Sequence, residues 1–179
     1  MQFSIITAAI FSALAAAENI VTFESKDSTS RQIVFTPTDG YEAVESVTVS
    51  GGGSVDVTIP KGWIGNWFSI SEGASNTNGM LGEVAFQGWN GLTYFDVSAI
   101  VNSTDFDGVK EMWPASAQAP TSGCKTFPCD NAYYLPDDIQ TKTTSETHLV
   151  CTLGSNGSYK RFVDEDVFPH DYVTGKHRI

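Results

Sequence analysis

Residues 79–108, GMLGEVAFQGWNGLTYFDVSAIVNSTDFDG, contain the strongest signal for the fold of this chain. At their centre is the pair Asn90-Gly91, which suits a two-residue type I′ turn because both central residues of that turn need positive φ. Runs that alternate between apolar and polar residues lie on both sides of the pair, as in half-buried strands. The stretch therefore predicts a β-hairpin with its turn at Asn90-Gly91.

A two-residue turn at this position also predicts which residues face each other. Counting outward places Ala85 opposite Asp96 and Glu83 opposite Ser98, so that Glu83 and Asp96 become diagonal neighbours with Cβ atoms about 7–8 Å apart. Side chains alternate between the two faces of a strand. The residues predicted to face the core are Val84, Phe86, Phe95 and Val97. Glu83 and Asp96 share the opposite, polar face, and one extra residue in the loop would shift this register.

Several other segments have the composition of strands. The β-branched and aromatic runs 20–23 and 31–36 flank a polar turn and predict a second hairpin. A third hairpin is predicted where the alternating runs 47–49 and 55–59 flank the glycine-rich loop 51–54. The remaining predicted strands are 147–153 and 159–163.

The pattern of the whole chain predicts an all-β fold. No segment shows a helical period longer than about 11 residues, the length of an average helix. Many short strands with turn signals between them are typical of a β-sandwich or barrel. Three aromatic residues, Trp63, Trp67 and Phe68, are predicted to be core, because aromatic side chains beside strands dominate buried area. A sugar-stacking platform is the alternative role for them.

Residues 112–136 interrupt the strand pattern. Prolines recur at positions 114, 120, 128 and 136, and Cys124 and Cys129 lie among them. Proline lacks a backbone donor and interrupts both helices and central strands. This segment is predicted to form a small irregular lobe beside the sandwich.

Residues 1–17, MQFSIITAAIFSALAAA, contain no Asp, Glu, Lys or Arg and end in small residues. This is the pattern of a secretory signal peptide, and the apolar run is shorter than the roughly 20 residues that span a bilayer. We therefore expect residues 18–179 to form a single domain. The protein should be secreted or held outside the cell by other contacts, monomeric, and without a membrane partner.

The formal net charge of −11 and the absence of basic clusters exclude several classes of function. Nucleic-acid binding needs clustered Lys and Arg to neutralise phosphates, so no nucleic-acid partner is expected. The chain has no G-x-S-x-G elbow, no H-E-x-x-H sequence and no Cys/His pair at zinc spacing. Neither a Ser-His-Asp hydrolase nor a metal site is predicted, and no cofactor is expected.

The acids of residues 79–108 remain as the candidate functional group. Two carboxylates flank the scissile bond in glycosidases, about 5–5.5 Å apart in retaining and about 6.5–9.5 Å apart in inverting enzymes. The predicted arrangement of Glu83 and Asp96 permits such acid/base chemistry. Glycan binding through carboxylates and nearby aromatic rings is a second interpretation, and an ordinary solvated strand face is the third.

Several short sequences resemble the thaumatin-like family. Residues 81–86 (LGEVAF), 94–98 (YFDVS) and 107–109 (DGV) are similar to that family's Ala-Glu-aromatic, Trp-Asp-Ile-Ser and Asp-Gly-Phe sequences. Residues 123–129 and 150–159 are similar to its Cys-x4-Cys segment and its late Cys-Pro-Gly-Ser-Ser-Asn-Tyr stretch. The resemblance implies a β-sandwich with an acidic cleft.

The same resemblance implies the residues of that cleft and its ligand. Glu83, Asp96 and Asp107 match the family's cleft acids, Asp105 competes with Asp107 for its match, and Tyr94 lies among them. Members of the family bind β-1,3-glucans and some hydrolyse them weakly, so the implied partner is cell-wall β-1,3-glucan. In an enzyme Glu83 would be the proton donor and Asp96 the base or nucleophile. An extracellular interaction or effector protein without a glycan ligand is the alternative.

The three cysteines and two sequons are consistent with an oxidising exterior. Two of the cysteines are expected to form a disulfide and one to stay free. The matched positions imply a Cys124–Cys151 disulfide with Cys129 as the free thiol, and a Cys124–Cys129 bridge is the alternative. The sequons predict N-glycosylation at Asn102 and Asn156.

Longer sequences are similar to a group of small secreted proteins of filamentous fungi. These sequences are GWIGNW (62–67), GEVAFQGWNGLTYFDVSAI (82–100) and CDNAYYLPDD (129–138). This second resemblance implies a fungal extracellular or cell-wall-associated protein without an established activity.

Overall fold

The computed structural model describes residues 18–155 and two short backbone segments, 170–171 and 176–177. A five-stranded sheet has the order β4 (Ser54–Ile59), β1 (Asn19–Ser25), β11 (His148–Leu153), β8 (Val109–Pro114) and β9 (Ser122–Gly123). A six-stranded sheet has the order β10 (Lys142–Thr144), β7 (Thr93–Ser98), β6 (Leu81–Ala85), β5 (Ile64–Ser71), β2 (Arg31–Pro37) and β3 (Val47–Val49). Strands β12 (His170–Asp171) and β13 (Lys176–His177) pair with each other.

The remaining described residues form turns and loops, with a 3-10 turn at Trp89–Gly91. No helix in the described part of the chain has the length and apolar character needed to cross a membrane. The predicted signal peptide 1–17, the predicted strand 159–163 and the sequon at Asn156 lie outside the described residues.

The two sheets pack face to face, which confirms the predicted all-β sandwich. The core contains side chains from both of them, such as Val21 and Leu149 of the five-stranded sheet and Ile33 and Val97 of the six-stranded sheet. Burying one such side chain stabilises the fold by about 1.5–3 kcal/mol. All neighbouring strands are antiparallel except β1 and β11, which are parallel.

Four aromatic rings occupy the centre of the core. Trp67 meets Phe23 edge-on at a centroid distance of 5.4 Å, and Phe35 lies within contact of Phe23, Trp63 and Trp67. Edge-to-face pairs of this kind add to the stability that area burial provides. Gly82 makes room for them, because a Cβ there would lie 2.5 Å from the indole Nε1 of Trp67. The predicted core roles of Trp63 and Trp67 are confirmed.

The two hairpins predicted before residue 60 have the right strands but the wrong pairing. β1 and β2 lie in different sheets, as do β3 and β4, so each connection crosses the edge of the sandwich. The two crossings contact each other: the N–H of Gly52 donates to the carbonyl of Asp27 at 2.6 Å. A Cβ at Gly51 would lie 2.1 Å from the carbonyl oxygen of Ser28. Alternation identifies a half-buried strand without identifying its partner, which explains the error.

Arg31 and Asp27 form a clamp that holds the connection between β1 and β2. The Arg31 side chain is buried, with Nη1 and Nη2 each donating to one Asp27 carboxylate oxygen at 2.8 Å and Nε donating to the carbonyl of Asp107 at 2.8 Å. Burial alone would raise the pKa of Asp27, but hydrogen bonds from Arg31, Thr29 and Ser155, with the charge of Arg31, lower it to about 2. The clamp ties β2 to the Asp107 loop and to the end of β11.

The predicted Asn90-Gly91 turn forms, but the strands beyond it are offset by two residues from the predicted register. Asn90 and Gly91 have φ angles of 56° and 72°, as a type I′ turn requires. Glu83 lies opposite Asp96 rather than Ser98. A shift of two preserves the facing of every side chain, so the predicted core face is confirmed. Its buried members are Val84, Phe86, Phe95 and Val97.

The offset arises because two extra residues bulge from the β6 side of the hairpin. Gln87 has a left-handed backbone with φ of 48°, and its side chain turns toward the start of the chain. Its Oε1 accepts the N–H of Gly62 at 2.8 Å, and its Nε2 donates to Oδ1 of Asn19 at 2.6 Å. These long-range contacts select the bulge, and the local sequence of the turn does not encode them.

The segment between β8 and β10 forms the predicted irregular lobe, closed by a disulfide between Cys124 and Cys129. The implied Cys124–Cys151 pairing, with Cys129 free, is therefore wrong. Cys151 lies on β11 and faces the core, where its Sγ accepts the indole N–H of Trp67 at 3.4 Å. Its place inside the sandwich, away from the lobe, is the physical reason that it stays unpaired.

Cys151 is expected to resist alkylation in the folded protein. Complete burial raises the pKa of its thiol to about 12, so almost no thiolate is present at pH 8. Iodoacetamide followed by peptide mass mapping should label Cys151 only after denaturant is added. Native labelling of Cys129, or a peptide that links Cys124 to Cys151, would contradict this disulfide assignment.

Candidate functional site

The outer face of the six-stranded sheet, the face turned away from the core, holds the two acids that the sequence predicted as neighbours. Glu83 on β6 lies directly opposite Asp96 on β7, and Asn66 on β5 lies on the other side of Glu83. Directly opposite residues on antiparallel strands have Cβ atoms about 4.5–5.5 Å apart. Glu83 and Asp96, called the acid pair below, are therefore closer than the predicted diagonal arrangement.

Asp96 is a buried carboxyl with an incomplete set of hydrogen bonds. Its side chain belongs to a residue that is 9% exposed, its Oδ2 accepts the hydroxyl of Thr141 at 3.2 Å, and its buried Oδ1 has no hydrogen-bond donor. Burial and, secondarily, the neighbouring Glu83 raise the pKa of Asp96 from 3.8 to about 7, while Thr141 and Lys142 oppose the increase. Ionised Asp96 therefore lacks much of the solvation that it would have in water.

The acid pair has the features of two carboxyls that share one proton. Glu83 is close enough to Asp96 for a side-chain hydrogen bond between them, and two ionised carboxylates in contact repel each other. A protonated Asp96 can donate to Glu83, which gives its buried oxygen a partner. Asp96 is then protonated below about pH 7 and ionised above it.

Two aromatic side chains lie between the acid pair and the hairpin tip. Tyr94 is two residues before Asp96 on β7 and faces the same side, about 7 Å away along the strand. Its ring packs against Gly88, where a Cβ would lie 3.1 Å from a ring carbon, and its hydroxyl donates to the carbonyl of Trp89 at 3.3 Å. Trp89 is 76% exposed. The sequence assigned Tyr94 to the site but gave Trp89 no role.

The lobe supplies two polar residues that sequence reasoning missed. The hydroxyls of Tyr133 and Thr141 lie 2.8 Å apart, and Thr141 in turn donates to Asp96. The backbone of Tyr133 pairs with Ser98 at the end of β7. This arrangement depends on how the lobe folds back along β7, so no local signal in the sequence marks either residue.

The outer face beside the acid pair also has buried apolar side chains. Phe68 lies opposite Val34 on this face, and Phe68 and Leu81 are nearly inaccessible although neither belongs to the core between the sheets. Phe68 is thus buried as predicted, but on the other side of its strand. Fully solvated strand faces do not bury residues in this way, which argues against the simplest interpretation of the acids.

Asp105 supports a loop instead of joining the acid pair. Its Oδ2 accepts the N–H of Met80 at 2.8 Å, and its Oδ1 accepts those of Asp107 and Gly108 at 3.1 and 2.9 Å. A Cβ at Gly79 or Gly108 would lie about 2 Å from this carboxylate. Two glycines and three backbone donors therefore form a closed seat for Asp105.

Asp107 and Asn102 lie in the same loop as Asp105. The Asp107 side chain is exposed, while its carbonyl binds Arg31. The loop attaches at Met80, three residues before Glu83 and so about 10 Å from it along the strand. Asn102 accepts hydrogen bonds from the N–H and hydroxyl of Thr104, and its glycosylation stays a prediction. Within residues 18–155, no group of three or more His, Cys, Asp or Glu side chains could hold a metal ion.

Comparisons with known proteins place the chain among fungal proteins. No model of a protein family matches it. It is 55% identical over 138 residues to the antigenic protein SchS21 of Stachybotrys chartarum, an alignment that covers 77% of this chain and 96% of SchS21. The chain belongs to the SchS21 family. The implied resemblance to fungal proteins is thereby confirmed at the level of a fungal relative, whereas the thaumatin-like relationship stays a prediction.

The fold of this SchS21 family member is similar to that of a second fungal protein. The crystal structure of the protein elicitor MoHrip2 from Magnaporthe oryzae matches with a TM-score of 0.57 at 14% identity, covering 76% of this chain and 99% of MoHrip2. At this identity the likeness concerns the fold alone.

Proposed function

We propose that this protein is secreted by a fungus and binds cell-wall polysaccharide, β-1,3-glucan in the first instance, on the outer face of its six-stranded sheet. The observation that carries the proposal is the acid pair, in which a nearly buried Asp96 keeps one oxygen without a donor. Buried polar atoms without partners are rare in folded proteins and are typical of functional sites. The signal-peptide pattern in the sequence of residues 1–17 supports secretion.

The surroundings of the acid pair suit a hydroxyl-rich ligand. Sugar hydroxyls both donate and accept, so they can satisfy carboxyl oxygens of either protonation state. Tyr94 and Trp89 supply rings with polar tips along the same strand pair, and such amphipathic rings are favoured at binding surfaces. In this proposal Asp105 and Asp107 do not contact the ligand, because the first is occupied by backbone donors and the second lies in the same loop.

The geometry of the acid pair favours binding over glucan hydrolysis. Hydrogen-bonded carboxyls lie within about 3 Å of each other, whereas the two acids of a glycosidase leave at least about 5 Å for the sugar bond between them. Purified protein should accordingly release no reducing ends from laminarin. Release that disappears in Glu83→Gln or Asp96→Asn would replace binding with catalysis as the function of the pair.

Retention on insoluble β-1,3-glucan should depend on the acid pair. The double variant Glu83→Gln with Asp96→Asn is expected to reduce the retained fraction to the level of an unrelated protein, because it removes both acceptor carboxylates. The measurement is a pull-down followed by quantification of bound and free protein. Glu45→Gln removes an acid from an exposed loop and serves as the control with unchanged retention. Equal retention of the double variant and the native protein would show that the acid pair does not bind β-1,3-glucan.

A second function is favoured by the names of the relatives. SchS21 is described as antigenic and MoHrip2 as an elicitor, which supports a role in recognition by another organism for this chain as well. Exposed apolar residues that could take part include Trp89 and Ile139. A host-cell response to purified protein that survives the double substitution would support recognition independent of the acid pair.

A further inference from the structure

We propose that the acid pair makes the polysaccharide site selective for sugar units with a protonated primary amine over neutral sugar units. The inference rests on the proposed function, since it names the class of sugar that the same site prefers. Two features of the acid pair support it: its negative charge, and the lack of a basic side chain in residues 18–155 that forms an ion pair with it.

No basic side chain of residues 18–155 forms an ion pair with Glu83 or Asp96. The ion pairs within 4 Å in this part of the chain are Lys26–Glu24 and Arg31–Asp27, both distant from the pair in the fold. The cation whose charge acts on Asp96 is Lys142, which lies opposite Phe95. Because Phe95 faces the core, the side chain of Lys142 leaves its strand on the core side of the sheet. The acid pair lies on the opposite, outer side. The charge of Lys142 acts on Asp96 only from a distance.

The other groups that face the acid pair are neutral. They are the side chains of Asn66, Tyr94, Tyr133 and Thr141. The hydroxyl of Thr141 already donates to Oδ2 of Asp96, so the acceptor left without a donor is Oδ1. Glu83 has no basic partner in the described residues either. Only the shared proton then reduces the repulsion between the two adjacent carboxyls.

An ammonium group can take the place of that shared proton. It carries three donors that the half-buried Glu83 carboxylate can accept, with ionised Asp96 directly opposite Glu83 on the next strand, and such charge-assisted bonds are roughly twice as strong as neutral ones. The step balances in charge: the amine arrives as R–NH3⁺, Asp96 loses its proton to solvent, and the two carboxylates then face one cation. A sugar hydroxyl cannot offset the second negative charge.

The formal charge of −11 acts in the same direction over longer distances. An excess of acidic groups attracts a cationic polymer and repels an anionic one. Aminated polysaccharide fits this field, and the rings of Tyr94 and Trp89 favour a sugar over the flexible side chain of a lysine-rich peptide. An oligolysine is the matched cationic probe that separates these two sources of a primary amine.

The test is isothermal titration of the full mature chain at pH 6 with oligomers of equal length. The probes are a glucosamine hexamer, its N-acetylated form, a laminarin hexamer and hexalysine. Glucosamine hexamer is expected to bind about tenfold more tightly than the N-acetylated form, the equivalent of one charge-assisted hydrogen bond. Titration in two buffers of different ionisation enthalpy should show net proton release on binding of the aminated oligomer.

Substitutions in the acid pair test whether it causes the preference for the aminated hexamer. Asp96→Asn and Glu83→Gln should each reduce the preference for the amine to within about twofold and abolish proton release, whereas Glu45→Gln should leave both intact. Equal affinity for the aminated and acetylated hexamers in the native protein would overturn the inference, as would tighter binding of hexalysine. Laminarin binding that depends on the acid pair would still support the proposed function in that case. Loss of all binding to sugars would remove both.

Discussion

Replacing Asp96 by asparagine is expected to stabilise the folded protein by about 2–4 kcal/mol at pH 8 and by less than about 1 kcal/mol at pH 4. Asparagine has the shape of the protonated acid, so it can keep the bond from Thr141 and donate to Glu83. It carries no charge at any pH. The native protein must instead hold an ionised carboxyl in a buried place once the pH exceeds about 7.

The direction in which stability changes with pH follows from the pKa of Asp96 in the folded protein and in the unfolded chain. The pKa of Asp96 is about 7 in the folded protein and near its ordinary 3.8 in the unfolded chain. Its contribution to stability is therefore fully present below pH 3.8 and is lost as the pH rises through 7. The full shift corresponds to about 4 kcal/mol, and the sharing of one proton with Glu83 reduces what a single substitution recovers.

Urea denaturation of the native protein and of Asp96→Asn at pH 4, 6 and 8 measures this effect. The difference in unfolding free energy should grow steadily across the series, and Glu45→Gln should show no such trend. A variant that is less stable than the native protein at pH 8 would mean that ionised Asp96 is stabilised by its neighbours. In that case the acid pair would be a structural ion site, and a ligand would not be needed to explain it.

Arg31→Met is expected to destabilise the protein by about 3–5 kcal/mol at pH 7, the usual effect of leaving one charge of a buried pair without its partner. The substitution removes both bonds to Asp27 and the bond to the carbonyl of Asp107. The unfolding free energies of whole domains are about 5–15 kcal/mol. The variant should therefore unfold well below the native midpoint in urea.

Low pH weakens the clamp between Arg31 and Asp27 by protonating Asp27. The pKa of Asp27 is lowered from 3.8 to about 2 in the folded state, so its contribution is present above pH 3.8 and is lost as the pH falls through 2. The stability difference between the native protein and Arg31→Met should shrink over that interval. Lys26→Met removes a partly exposed ion pair with Glu24 and should cost less than about 1 kcal/mol. A loss below about 1 kcal/mol for Arg31→Met would show that the clamp does not hold the sheet crossing.

The facing of side chains in this fold could be predicted from sequence more reliably than their partners. The parity of β6 and β7 places Glu83 and Asp96 outward in any register that differs by two residues, so the prediction survived the bulge at Gln87. The same alternation could not show that β1 and β2 belong to different sheets. That choice depends on the clamp between Asp27 and Arg31, whose partners include residues far along the chain.

The composition of the site shows a similar division. Acids at 83 and 96 and the ring of Tyr94 follow from one hairpin and were predicted from it. Asp105 is only a few residues farther along, but three backbone N–H groups occupy its carboxylate, and no sequence pattern distinguishes such a seat from a cleft. Thr141 reaches Asp96 through the path of the lobe, which local sequence does not specify.

The cysteines show where a resemblance gave the wrong answer. Matching positions in another family paired Cys124 with Cys151, although the two cysteines in the lobe are only five residues apart. Cys151 occupies a core position on β11, in line with Leu149 and Leu153. Its burial beside Trp67, visible only in the packed sandwich, decides the pairing.

A carboxyl carbon NMR titration of Asp96 and Glu83 between pH 3 and pH 9 tests whether the two acids share a proton. The Asp96 carboxyl carbon should titrate with an apparent pKa near 7, and contact between the acids predicts that the carboxyl carbon of Glu83 shifts in the same step. Glu83→Gln should lower the remaining Asp96 step toward acid, because it removes the neighbouring charge. A titration of Asp96 near pH 4 with no response at Glu83 would contradict proton sharing, since Asp96 would then be an ordinary solvated acid on a strand face.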